Sequence, residues 1–282
     1  MAINELMTMY LAAQQAFRER NYEIAESILR AAAGRGHPNS QCMLGLLYEL
    51  GRGVPKDLQL ALEWYHKSAA QDYADAQVSI GRCYDRGVGV PQDYGQAVLW
   101  FQKAADAGFA DGQFELGQMY EVGTGVPQDY KQSFYWYSKA AAQGHPLAQH
   151  SLGVAYTECR GVAPDFRRAF EWFSKAAEQG VADSQGILGT IYATGRGVPQ
   201  DDALARKWLT MASDKGIANA QFIFDLYYPD PVNGPRLPEG VVPGVVKFME
   251  KQAREQQCSP PQSRQQRRAE QRRSRRHDPR RR

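Results

Sequence analysis

Along residues 37–228 the apolar positions fall into two helical registers that alternate with a fixed period. In the first register Gly45, Gly81, Gly117, Gly153 or Gly189 is followed three positions on by Tyr48, Tyr84, Tyr120, Tyr156 or Tyr192, which puts both on one helical face. In the second, Ala61, Trp64, Tyr65 and their equivalents form one buried stripe. A shift of 36 residues brings the pattern onto itself. Gln then recurs at 41, 77, 113, 149, 185 and 221, and the five Trp stand at 64, 100, 136, 172 and 208. A repeat of this length is the mark of a solenoid, in which each unit buries its face against the next. The pattern predicts an all-α chain with five full helix pairs, at 37–72, 73–108, 109–144, 145–180 and 181–216, and a sixth begun over 217–228.

The punctuation of each unit supports that reading. Asn39, Asp75, Asp111, Asp183 and Asn219 are expected to cap the first helices, and Leu147 at the same place predicts a less well capped start in the fourth repeat. Glycine inside a helix costs about 1 kcal/mol against alanine. Five such placements predict close approach of a neighbouring helix backbone. The loops read Gly-x-Gly-Val-Pro at 51–55, 87–91, 123–127 and 195–199, where glycine admits positive φ and proline stops the helix. Asp57, Asp93, Asp129, Asp165 and Asp201 follow as caps of the second helices, with Gln96 and Gln132 in capping-box positions. Gly108, Gly144, Gly180 and Gly216 are placed as left-handed stops. In the fourth repeat Cys159 replaces the first loop glycine and Pro164 slips by one, so a different bend is expected there. Asp225 stands where a sixth glycine would fall.

The Gly-x-Gly-Val-Pro-x-Asp loop, the Trp-Tyr or Trp-Phe pair and the Ala-Ala-x-x-Gly ending resemble the Sel1-like repeat family, a relative of the tetratricopeptide repeats. The resemblance covers about residues 37–228. It implies a right-handed α/α solenoid serving as a non-enzymatic scaffold or adaptor for a protein or peptide. In the related tetratricopeptide repeats the first helix of each pair lines a concave groove. Carried over, the partner-facing positions are Cys42, Leu46, Val78, Arg82, Phe114, Gln118, His150, Val154, Gly186, Thr190, Phe222 and Leu226. Glu49, Asp85 and Glu121 would form an acidic edge. The competing reading of Val78, Phe114 and Phe222 is ordinary core packing. Some cysteine-rich relatives are assigned penicillin binding and β-lactamase activity, but their regular cysteine pairs and an S-x-x-K motif are missing from this sequence.

The flanks differ from the repeats. Residues 1–36 read as a degenerate capping helix pair, with a first helix over 3–19 and Ala25, Ile28, Leu29 and Ala33 in the second-helix register. Five prolines between 229 and 243 forbid further repeats, and residues 244–257 read as a closing helix within a 229–258 segment. From 259 to 282 a disordered basic tail is expected. Residues 264–282 hold ten arginines, densest at Arg272, Arg273, Arg275 and Arg276, against Glu270 and Asp278. That segment carries +8 of a whole-chain +3, so the preceding residues carry −5. Salt-sensitive binding of nucleic acid or another polyanion through the tail is the alternative functional class.

The chemistry-bearing motifs are few. Walker A, H-E-x-x-H, G-x-S-x-G and zinc-type Cys/His spacings do not occur, so neither catalytic residues nor cofactor or metal are expected. Cys42, Cys83 and Cys159 stand at different positions of their repeats and Cys258 lies beyond them, so they share no repeat register, which points to reduced thiols and a cytoplasmic protein. No stretch reaches the roughly 18–20 apolar residues of a membrane span.

Overall fold

The computed structural model describes residues 2–195 and 197–228. The expected closing helix at 244–257 and the arginine tail lie outside them. Thirteen helices and no strand are present among the described residues: α1 (Ala2–Arg18), α2 (Tyr22–Gly34), α3 (Pro38–Leu50), α4 (Leu58–Ala69), α5 (Ala74–Arg86), α6 (Tyr94–Asp106), α7 (Ala110–Val122), α8 (Tyr130–Ala142), α9 (Pro146–Glu158), α10 (Phe166–Glu178), α11 (Ala182–Thr194), α12 (Asp202–Asp214) and α13 (Ala218–Tyr227). The architecture is an all-α solenoid of helix pairs. It divides into two compact units, one of residues 2–153 with 160–162 and one of 154–159 with 163–228.

The second helices start as the sequence predicts. Asp57, Asp93 and Asp201 each accept the backbone N–H three residues on, at 2.9–3.0 Å. Asp129 and Asp165 each accept two N–H groups. The backbone N–H of each capping Asp donates to the carbonyl of a ladder tyrosine: Asp57 to Tyr48, Asp93 to Tyr84, Asp129 to Tyr120, Asp165 to Tyr156 and Asp201 to Tyr192, at 2.9–3.1 Å. One recurring bond thus ties each loop back to its own first helix. The loop opens with glycine in the left-handed region, φ +66° at Gly51 and +82° at Gly123. In the fourth repeat Cys159 takes that conformation, at φ +59°.

The first helices start differently from expectation. The N-cap residues are His37, Tyr73, Phe109, Val181 and Ile217, two positions before the predicted polar caps. Asp75, Asp111 and Asp183 fall in the first helical turn, where a carboxylate favours the helix dipole without being the cap. His37 Nδ1 accepts the N–H of Ser40 at 3.3 Å, and His145 Nδ1 accepts that of Ala148 at 3.2 Å. The fourth repeat therefore has a side-chain cap despite Leu147.

The deepest core is the residue after each tryptophan. Tyr65, Phe101, Tyr137, Phe173 and Leu209 are all at most 2% exposed. Trp136 is buried, whereas Trp64, Trp100, Trp172 and Trp208 are half-buried. Lysine ammonium groups cover the outer faces of the rings, as Lys67 over Trp64 at 4.1 Å and Lys103 over Trp100 at 4.3 Å. The mid-helix glycines admit these core side chains. A Cβ on Gly81 would stand 2.5 Å from the Phe101 ring. The neighbour that comes close is mainly a buried side chain. Backbone approach adds to it at Gly45, where the Ala61 carbonyl lies 2.9 Å from such a Cβ, and at Gly189.

Candidate partner-binding groove

Helices α1, α3 and α5 of the first unit frame a cavity of about 340 Å³. Cys42, Leu46, Val78 and Arg82, all predicted partner-facing positions, line it. Tyr10, Gln14, Met43, Tyr73, Asp75 and Ser79 complete most of the wall. The i, i+4 spacing of Cys42 and Leu46, and of Val78 and Arg82, puts each pair on one helix face. Val78 is only 2% exposed and forms the floor from beneath, while Leu46 and Cys42 are half-buried.

The polar wall has a definite charge. Arg82 is engaged by Glu115 at 2.6 Å and by Asp111 at 3.8 Å. Asp75 is exposed, and its carboxylate raises the Tyr73 hydroxyl above the usual tyrosine range after burial, the larger cause. Gln14 donates to the Tyr10 hydroxyl at 2.7 Å. The Cys42 thiol is pushed up to about 12, first by burial and then by Asp75. It is a protonated, weakly polar lining group rather than a nucleophile.

The other predicted positions are placed less uniformly. Phe114 is 7% exposed and stacks on the His145 ring at 4.6 Å, so its place is the core. Gln118 is exposed and His150 half-buried in the first unit. Val154 and Phe222 are half-buried in the second. The acidic edge is largely occupied by the chain itself. Glu49 accepts a hydrogen bond from the Tyr65 hydroxyl at 2.7 Å, and Glu121 accepts one from Tyr137 at 2.6 Å and pairs with Arg160. Asp85 belongs to the repeat with Phe101 at the tyrosine position, so it lacks that hydroxyl partner. Arg272, Arg273, Arg275 and Arg276 lie outside the described residues.

Tyr10, Gln14 and Tyr73 were not among the predicted site residues. Tyr10 and Gln14 sit on α1, which has no repeat register to align with the others. Tyr73 is a helix N-cap whose counterparts are His37, Phe109, His145, Val181 and Ile217, so no repeated residue type marks the position. Among the described residues no group of His, Cys, Asp and Glu is arranged to hold a metal. No described helix is long and apolar enough to cross a membrane.

The fold defines an all-α helical-repeat solenoid. The Sel1 repeat model matches residues 38–73, 74–109, 110–145, 146–181 and 182–217, and the chain belongs to the Sel1 repeat family. Proteins built from these repeats generally mediate protein–protein interaction. A Sel1 repeat protein from Oxalobacter formigenes is similar in structure, with 29% identity and a TM-score of 0.73 over 87% of this chain and 99% of that one. A second similar structure is c5321, a protective antigen of uropathogenic Escherichia coli strains, with 28% identity and a TM-score of 0.68 over 90% of this chain and 55% of that one. The immunity protein PA5088 of Pseudomonas aeruginosa shares the fold at 22% identity, with a TM-score of 0.52 over 73% of this chain and 82% of that one. No curated protein matches.

Proposed function

We propose that this chain is a non-enzymatic adaptor that seats a peptide segment of a partner protein in the groove of the first unit. The observation that carries the reading is convergence. Two pairs of first-helix positions, Cys42 with Leu46 and Val78 with Arg82, open onto one cavity together with the carboxylate of Asp75 and the rings of Tyr10 and Tyr73. The one basic side chain in that wall, Arg82, is already held by two carboxylates. An apolar floor beside an exposed carboxylate and two aromatic rings suits a Lys or Arg flanked by an apolar residue. The apolar contact would supply most of the affinity, and charge the specificity and encounter rate.

Selection of displayed peptides on the full chain tests this. Enrichment of a basic residue next to Leu, Met or Phe is expected. Leu46→Arg places a cation at the half-buried rim and should weaken the selected peptides about tenfold or more, a loss of ~1.4 kcal/mol. Far-UV circular dichroism of that variant checks that the helices remain. Selected peptides that bind wild type and Leu46→Arg alike would remove the groove from the account.

A further inference from the structure

The glutamine ladder has a break. Gln41 and Gln113 are buried, and each donates through Nε2 to a carbonyl of the preceding helix, Ala33 at 3.1 Å and Ala105 at 3.3 Å. Each accepts at Oε1 a hydrogen bond from a glutamine at the far end of its repeat, Gln71 and Gln143, at 2.8 Å in both cases. The same Nε2 of Gln71 and of Gln143 also donates to a turn carbonyl, that of Gly36 and of Gly108, at 2.9 Å. One carboxamide thus satisfies two acceptors.

In the repeat between them the corresponding residue is Ala107, which has no side-chain donor. Gln77 is 4% exposed, and its Oε1 has no hydrogen-bond partner among the described residues. Beside it opens a cavity of about 650 Å³, lined also by His66, Asp72, Trp100, Lys103 and Ala107. Asp72 is the counterpart of Gly36 and Gly108, so its carbonyl holds the place of the second acceptor. A buried acceptor left without a donor loses its hydrogen bonds to water with nothing in return. In native structures nearly all such groups have a partner in the protein, in ordered water or in a ligand.

The second unit shows which donor fits. There the position is Lys215, whose Nζ donates to the Gly180 carbonyl at 2.7 Å, yet Gln185 Oε1 stays without a partner. An ammonium reaches the carbonyl alone. The two N–H bonds of a carboxamide diverge in one plane and reach both acceptors.

We propose that the cavity at Gln77 receives the side-chain carboxamide of a glutamine from a partner polypeptide. Its –NH₂ donates to Gln77 Oε1 and to the Asp72 carbonyl, and its methylenes pack on the wall made by Trp100 and His66, whose rings meet edge-on at 5.5 Å. The volume leaves room for backbone on either side of that glutamine. The site shares no lining residue with the groove and stands independently of it.

The test is a titration of the full chain, followed through the indole N–H of Trp100 by nuclear magnetic resonance. N-acetylglutamine N-methylamide is the probe, with its glutamate counterpart and n-butylammonium as controls. A saturable shift with the glutamine probe is expected, about tenfold weaker with either control. Ala107→Gln supplies the missing carboxamide from within. Ala107 is exposed on a turn of φ −70°, so the substitution should fold, raise Tm and abolish the shift. A silent Trp100, an equal response to the glutamate control or to n-butylammonium, or unchanged binding in Ala107→Gln would overturn the assignment. Equal binding of the free amide butyramide would overturn the polypeptide origin of the ligand.

Discussion

Gly117 and Tyr137 form one interlocked pair: a Cβ on the glycine would stand 2.6 Å from the tyrosine ring, which is 2% exposed. The ring cannot retreat easily, because its hydroxyl donates to Glu121 at 2.6 Å, one helical turn beyond Gly117. Gly117→Ala improves helix propensity by about 1 kcal/mol, while overpacking costs about 1–3 kcal/mol. A net loss of about 0–2 kcal/mol is expected in urea unfolding. Tyr137→Leu added to Gly117→Ala should lose less than the two single losses summed, as residues in contact do.

Trp136 and Trp208 occupy the same repeat position with different burial, the first 7% exposed and the second half-buried. Trp136→Ala should cost about 3–5 kcal/mol. Trp208→Ala should cost clearly less, because water already reaches part of the ring. Paired urea melts decide the order, and equal losses would contradict the burial argument.

Stability should fall on mild acidification. Burial holds the His145 imidazole below its ordinary value, against the opposing pull of Asp111 and Glu115. His37 is lowered by burial too, and so is His66, with Lys103 adding to it. The unfolded chain therefore takes up protons first as pH drops below 6.5, the ordinary histidine value. Stability from this source is complete above that pH and declines below it, until the folded histidines protonate in turn. The geometry agrees: His37 and His145 cap their helices through Nδ1 as an acceptor, which an imidazolium no longer offers. Tm should be flat at neutral pH and drop between about 6.5 and 5. His145→Asn keeps a cap acceptor without titrating and should flatten part of that drop.

How much of this was legible without coordinates follows from what repeats. Helix pairs, loops and second-helix caps recur every 36 residues, and local chemistry dictates them. The Asp57 series accepts hydrogen bonds from backbone only three residues away or fewer, so its spacing alone identifies it. The same reasoning misplaced the first-helix caps. Asp75 and Asp111 are good cap residues by type, but the chain enters the helix two residues earlier, at Tyr73 and Phe109.

Tertiary structure decided which face of each helix meets solvent. Trp64 and Tyr65 are neighbours in one apolar stripe, yet only Tyr65 reaches the bottom of the core, under Gly45. Val78 and Phe114 sit at predicted partner-facing positions and are buried, whereas Leu46 and Gln118 are not. Periodicity assigns a residue to a helix face, but burial depends on which side chain of the adjoining helix fills the space opposite. The groove wall needed Tyr10, from a segment outside the repeat, and the cavity at Gln77 exists because Ala107 is short. Sequence by itself determined the scaffold, because its interactions are local and repeated. Its two candidate sites arise from single departures between elements distant in sequence, which only the packed structure brings together.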